Sequence, residues 1–176
     1  MNELELLLQQ WANFYLIMSA AASTLIGLLF VVITLAAQRW VKKVEATAKI
    51  GVYVLPSVVS YVSVLGIAAL MTFPNHTRLT ATLCICLLGF AGVVLSGSIL
   101  IGGDKNNYEK RRDLIPHSVF PLAAYLLLVL GGVVLLHDPR CGLIFVAVGM
   151  LSLLMIAIRN TMAMAIGVTS THHDLD

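Results

Sequence analysis

Polar and apolar positions in this chain neither alternate nor follow a helical stripe; they come in blocks. Five long apolar windows stand out, at residues 12–37, 52–73, 81–101, 118–136 and 143–158. None contains Asp, Glu, Lys, Arg or His. About 20 apolar residues in a helix span the roughly 30 Å hydrocarbon core of a bilayer. Strands of a membrane barrel would be short and alternating, and these runs are neither. Out of reach of water, each run must satisfy its own backbone N–H and C=O groups, which a helix does. The pattern predicts an all-α integral membrane bundle of about five transmembrane helices, forming a single domain over residues 1–176. The fifth helix either stops near Arg159 or extends to about residue 168.

Composition agrees with this reading. The chain is 59% hydrophobic and only 11% charged, whereas a soluble domain carries about 25% charge. So little charge cannot cover a surface facing water. Pro74, Pro116 and Pro139 fall in or beside the predicted turns, where a missing N–H costs least. Pro56 and Pro121 fall inside or near the starts of the second and fourth helices.

The placement of charge predicts an orientation. Arg39, Lys42, Lys43 and Lys49 follow the first helix, Lys105, Lys110, Arg111 and Arg112 follow the third, and Arg159 ends the fifth. The opposite side has only Arg78 and Arg140. The positive-inside rule puts the basic side in the cytoplasm, with the N-terminus outside and the C-terminus inside. Trp11 and Trp40 bracket the first helix, about 43 Å apart at 1.5 Å per residue. That matches a bilayer with its headgroup layers, where Trp prefers to sit.

Small residues mark the candidate contact faces. Ser19, Ser23 and Gly27 recur every fourth position of the first helix, and Gly89, Gly92 and Ser96 repeat the theme on the third. Such faces let helices approach closely and hydrogen-bond across the seam. They are read as packing seams, within the chain or between subunits. Arg159 and Asn160 are read as an anchor at the cytoplasmic interface, either snorkelling or paired with Glu45, Asp113 or an anionic headgroup. Lys42, Lys43, Lys110, Arg111 and Arg112 are candidate contacts for anionic lipid, each worth about 1 kcal/mol near the surface.

Catalytic and cofactor chemistry finds no such pattern. Pumps and transporters place ionisable relays inside the membrane, and these windows hold none. No Ser–His pair, carboxylate pair or metal set with hydrolytic spacing is visible. His76, Cys84, Cys86, His137 and Cys141 fall at similar depth on the outer side, at spacings that match no established metal site. No enzyme, cofactor, bound metal or nucleic-acid partner is expected.

Ala20 to Leu35 of the first helix reads Ala-Ala-Ala-Ser-Thr-Leu-Ile-Gly-Leu-Leu-Phe-Val-Val-Ile-Thr-Leu, and the fifth ends Ile158-Arg159-Asn160. In these two segments the chain resembles a broad set of poorly characterised small bacterial polytopic inner-membrane proteins. That set often has Trp shortly after Arg-Asn, where this chain has Thr161-Met162. The resemblance implies a multi-pass protein of a bacterial inner membrane and brings no activity or ligand with it. The leading expectation is a non-enzymatic subunit acting by helix packing, either self-associating or bound to a membrane-protein partner in a regulatory or assembly role. The alternatives are a homo-oligomeric channel with an anion bias, and a binder of anionic lipid or another lipophilic ligand.

Overall fold

Leu, Ile, Val and Ala dominate each apolar window, and in a computed structural model of the chain each window is helical. The structure describes residues 3–40, 44–73, 77–102 and 108–170, with side chains for 4–35, 55–73, 77–98 and 119–163. Five helices follow in order: α1 Glu3–Trp40, α2 Val44–Met71, α3 Arg78–Gly102, α4 Tyr108–His137 and α5 Pro139–Ser170. The described residues contain no strand. Four helices are long and apolar enough to cross a membrane, over Leu4–Leu35, Arg78–Ser98, Val119–His137 and Pro139–Ala163. Leu55–Met71 of α2 is a fifth, shorter apolar segment. The architecture is that of an all-α multi-pass membrane protein.

The helices outrun the apolar windows. α2 starts at Val44 rather than near residue 52, and α4 at Tyr108 rather than near residue 118. Part of the expected loop at 102–117 is therefore helix. Hydropathy marks what hydrocarbon accepts, whereas Glu, Lys, Arg and Ala sustain a helix on either side of that boundary. α5 likewise continues past Arg159 to Ser170.

Local signals fix the starts of α3 and α5. At α3, Thr77 and Thr80 form a reciprocal capping box. The Thr80 N–H donates to Thr77 Oγ1 at 3.2 Å, and the Thr77 N–H donates to Thr80 Oγ1 at 3.0 Å. At α5, Asp138 Oδ1 accepts from the N–H groups of Arg140 at 2.9 Å and Cys141 at 3.3 Å. Pro139 then occupies the first helical position, where no N–H is needed.

α2 packs against α1, α3 and α5, and α5 packs against α1, α2 and α4, so these two helices form the centre. α3 and α4 lie on one flank and α1 on the other. Glycines set the closeness of the α4–α5 pair. A Cβ at Gly142 would stand 2.6 Å from the backbone N of Leu135, and one at Gly149 would stand 2.8 Å from Leu128 Cδ2. Tyr61, Val64, Ile67, Leu128, Leu143, Val146, Met150 and Leu153 fill the shared core, each fully buried.

Candidate intramembrane seams

The two small-residue stripes have opposite surroundings. On α3, Gly89 and Gly92 are buried against α4. A Cβ at Gly92 would run into the Tyr125 ring, and one at Gly89 would stand 2.8 Å from Val129 Cγ2. Ser96, on the same stripe, is 7% exposed and lines a cleft rather than a tight contact. On α1, Ser19 is half-buried while Ser23 and Gly27 are exposed, and a Cβ at Gly27 would meet nothing within 4 Å among the described residues. The α3 stripe is an internal seam, and the α1 stripe faces out of the chain.

The outward face of α1 is wider than the four-residue step that first marked it. Asn13, Ala20, Gly27 and Thr34 recur every seventh residue, with Leu16, Ser23 and Phe30 between them, and all seven are exposed. Alternating steps of three and four residues give the seam of a left-handed helix pair. The hydroxyls on this side bond back to their own helix. Ser23 Oγ donates to Ser19 O at 2.8 Å, Thr24 Oγ1 to Ala20 O at 2.9 Å, and Thr34 Oγ1 to Val31 O at 2.8 Å. Each keeps lone pairs for a neighbour. Only 17% of the apolar window of α1 is buried, against 50% for α5.

The opposite face of α1 carries Leu4, Leu7, Tyr15, Met18, Ala22 and Leu29, all buried. Trp11, Phe14 and Tyr15 stack edge to face there, with ring centroids 5.5 Å apart at each step. The Tyr15 hydroxyl is buried with no hydrogen-bond partner among the described residues, and nothing in the sequence pattern flags it.

Inside the bundle, polar side chains tie helices together in pairs. Ser63 Oγ and Tyr125 OH bond at 3.2 Å between α2 and α4. Thr82 Oγ1 donates to Gly132 O at 2.9 Å between α3 and α4. Tyr61 OH and Thr161 Oγ1 bond at 3.2 Å between α2 and α5, and Thr161 Oγ1 also donates to Ala157 O at 2.8 Å. None of these three ties was foreseen from the sequence, because a lone Ser, Thr or Tyr in an apolar run does not announce what it faces.

Beside the Tyr61–Thr161 tie, the two anchor candidates part company. Arg159 is exposed and Asn160 is buried at 6% exposure. Arg159 lies about 28 Å along α5 from Arg140 at 1.5 Å per residue, close to the hydrocarbon thickness of a bilayer. Lys42 and Lys43 lie outside the described residues. Lys110, Arg111 and Arg112 fall within the range of α4, with side chains outside the described set.

At the other end, Asp138 and Cys141 interact at an exposed turn. Hydrogen bonding from the Cys141 thiol and then its N–H holds the Asp138 carboxyl below the usual range, helped by the Arg140 N–H and charge. Cys84, Cys86 and Cys141 are all free thiols. Among the described residues no three His, Cys, Asp or Glu side chains gather closely enough to hold a metal. The arrangement is equipped for packing and hydrogen bonding between helices. No family model, no curated protein and no solved structure matches the chain.

Proposed function

We propose that this chain is a non-enzymatic, self-associating multi-pass membrane protein whose copies pack along the outward face of α1, serving as a subunit in an assembly or regulatory role. The observation that carries this reading is the exposed seven-residue repeat Asn13, Ala20, Gly27 and Thr34, with open space beside Gly27. A face meant only for lipid gains nothing from small and polar residues. α3 turns Leu83, Leu87, Phe90 and Val94 outward instead. Small residues let two backbones approach, and a polar residue at a repeat position selects register. The basic clusters support a cytoplasmic C-terminus, and the resemblance supports a bacterial inner membrane.

Native mass spectrometry of the protein in lipid nanodiscs tests this directly. The wild-type chain is expected as a discrete homo-oligomer, and the double substitution Ser23→Leu with Gly27→Leu as a folded monomer. An assembly that survives both changes with the fold intact overturns the reading. A wild-type chain held by a different protein moves the role to a hetero-subunit.

The hydroxyls of Ser23, Thr24 and Thr34 on the same side favour a second reading, a pore along the oligomer axis lined by these groups. Basic cytoplasmic clusters would bias it toward anions. Conductance in planar bilayers, abolished by Ser23→Leu, would support it; silence across voltage would count against it.

A further inference from the structure

α1 is longer than the membrane that α3 and α4 fit. Its apolar stretch, Leu4–Leu35, has 32 residues, against 21 for Arg78–Ser98 of α3 and 19 for Val119–His137 of α4. At 1.5 Å per residue these come to about 48, 31 and 28 Å, for a hydrocarbon core of roughly 30 Å. Without the first two turns, which carry Glu5, Gln9 and Gln10, the stretch from Trp11 to Leu35 still measures about 37 Å. A helix in excess of its bilayer tilts, kinks or thickens the lipid around it. α1 contains no proline at which to kink, so tilt is its simplest adjustment.

α1 is also the helix least fastened against tilting. Side-chain bonds tie α2 to α4, α3 to α4 and α2 to α5, and Gly142 brings the backbones of α4 and α5 together. Among the described residues from Trp11 to Leu35, α1 has no hydrogen bond to another helix. Ser23, Thr24 and Thr34 bond to α1 itself, and the Tyr15 hydroxyl has no partner among the described residues. Packing on α2 and, more lightly, on α5 holds the helix. Apolar contact is non-directional, so it favours burial without fixing one crossing angle.

We infer that α1 is a thickness-responsive arm, whose tilt against a fixed α2–α5 body follows the length of the surrounding acyl chains. The outward face of α1 tilts with it, so bilayer thickness regulates how copies pack. This second step rests on the association along α1 proposed above.

Leu6, Leu79 and Cys141 are exposed near the starts of α1, α3 and α5. Double electron–electron resonance between spin labels at Cys141 and at Leu6→Cys measures the α1–α5 distance, and Cys141 with Leu79→Cys measures the α3–α5 distance. A thiol reagent that does not enter hydrocarbon leaves Cys84 and Cys86 unlabelled. Nanodiscs holding one chain each, in dimyristoleoyl, dioleoyl and dierucoyl phosphatidylcholine, remove any effect of association. The α1–α5 distance is expected to shift by several ångströms across the series while the α3–α5 distance stays constant. A constant α1–α5 distance, or equal shifts in both pairs, overturns the inference. Native mass spectrometry of the wild-type chain in the same three lipids reads the second step, with the share of homo-oligomer expected to change several-fold. A share that does not change with thickness overturns the regulation. A chain that is monomeric in every lipid while the α1–α5 distance shifts overturns the association along α1 and leaves the thickness response standing.

Discussion

α1 and α3 carry the same kind of stripe, three small residues at helical spacing, with opposite outcomes. On α3 the stripe is met by bulky residues of α4, with Tyr125 over Gly92 and Val129 over Gly89. On α1 nothing among the described residues stands within 4 Å of a Cβ at Gly27. A small-residue stripe records how closely a partner comes, and the facing helix decides whether the partner is internal. The contrast separates stability from association, since one stripe should govern the first and the other the second.

The largest expected effect lies on α3. Gly92→Leu forces a side chain into the Tyr125 ring. It should destabilise the chain by about 3 kcal/mol or prevent folding, as overpacking does, and chemical unfolding in bicelles would show it. Gly27→Leu should leave single-chain stability within about 0.5 kcal/mol while removing association. Equal destabilisation by the two would erase the contrast.

Two tyrosines sharpen it on a finer scale. Tyr125→Phe strips Ser63 of its partner and should cost about 1 kcal/mol in the same assay. Tyr15→Phe removes a buried hydroxyl that has no partner among the described residues. It should cost nothing and add up to about 1 kcal/mol. Opposite signs for two buried tyrosines would show that the α2–α4 tie is a satisfied contact and the Tyr15 site on α1 a less optimised one.

The smallest effect concerns pH at the start of α5. Hydrogen bonds from Cys141 and Arg140 lower the folded pKa of Asp138. Its contribution is therefore complete above the ordinary carboxylate value, about 3.9, and is lost as pH falls through the lower folded value. Asp138→Asn should flatten that acid-side slope, measured as the pH dependence of unfolding.

Much of the fold was legible in the sequence because hydrocarbon imposes one rule on every span. Length and the absence of charge sufficed to locate the helices. Their ends at 44 and 108 were not legible, because helix propensity continues where hydropathy stops. The stripes on α1 and α3 were legible as stripes, and the directions they face were not, since that depends on pairing between helices distant in sequence. Tyr15, Ser63 and Thr161 illustrate the same limit. The residue type was visible, and its neighbour on another helix was not.

Only Asp138 separates α4 from α5. Closing so short a connection costs little chain entropy, and Gly142 and Gly149 let the pair zip together along its length. In kinetic terms the α4–α5 hairpin is expected to be the earliest stable unit, assembled from contacts near in sequence. α2 can then settle on it through Tyr61 and Thr161. α1 is synthesised before the other four helices, and its resting place exists only once they have assembled. During that interval both of its faces are uncovered, so a second copy of the chain can meet α1 before its own bundle does.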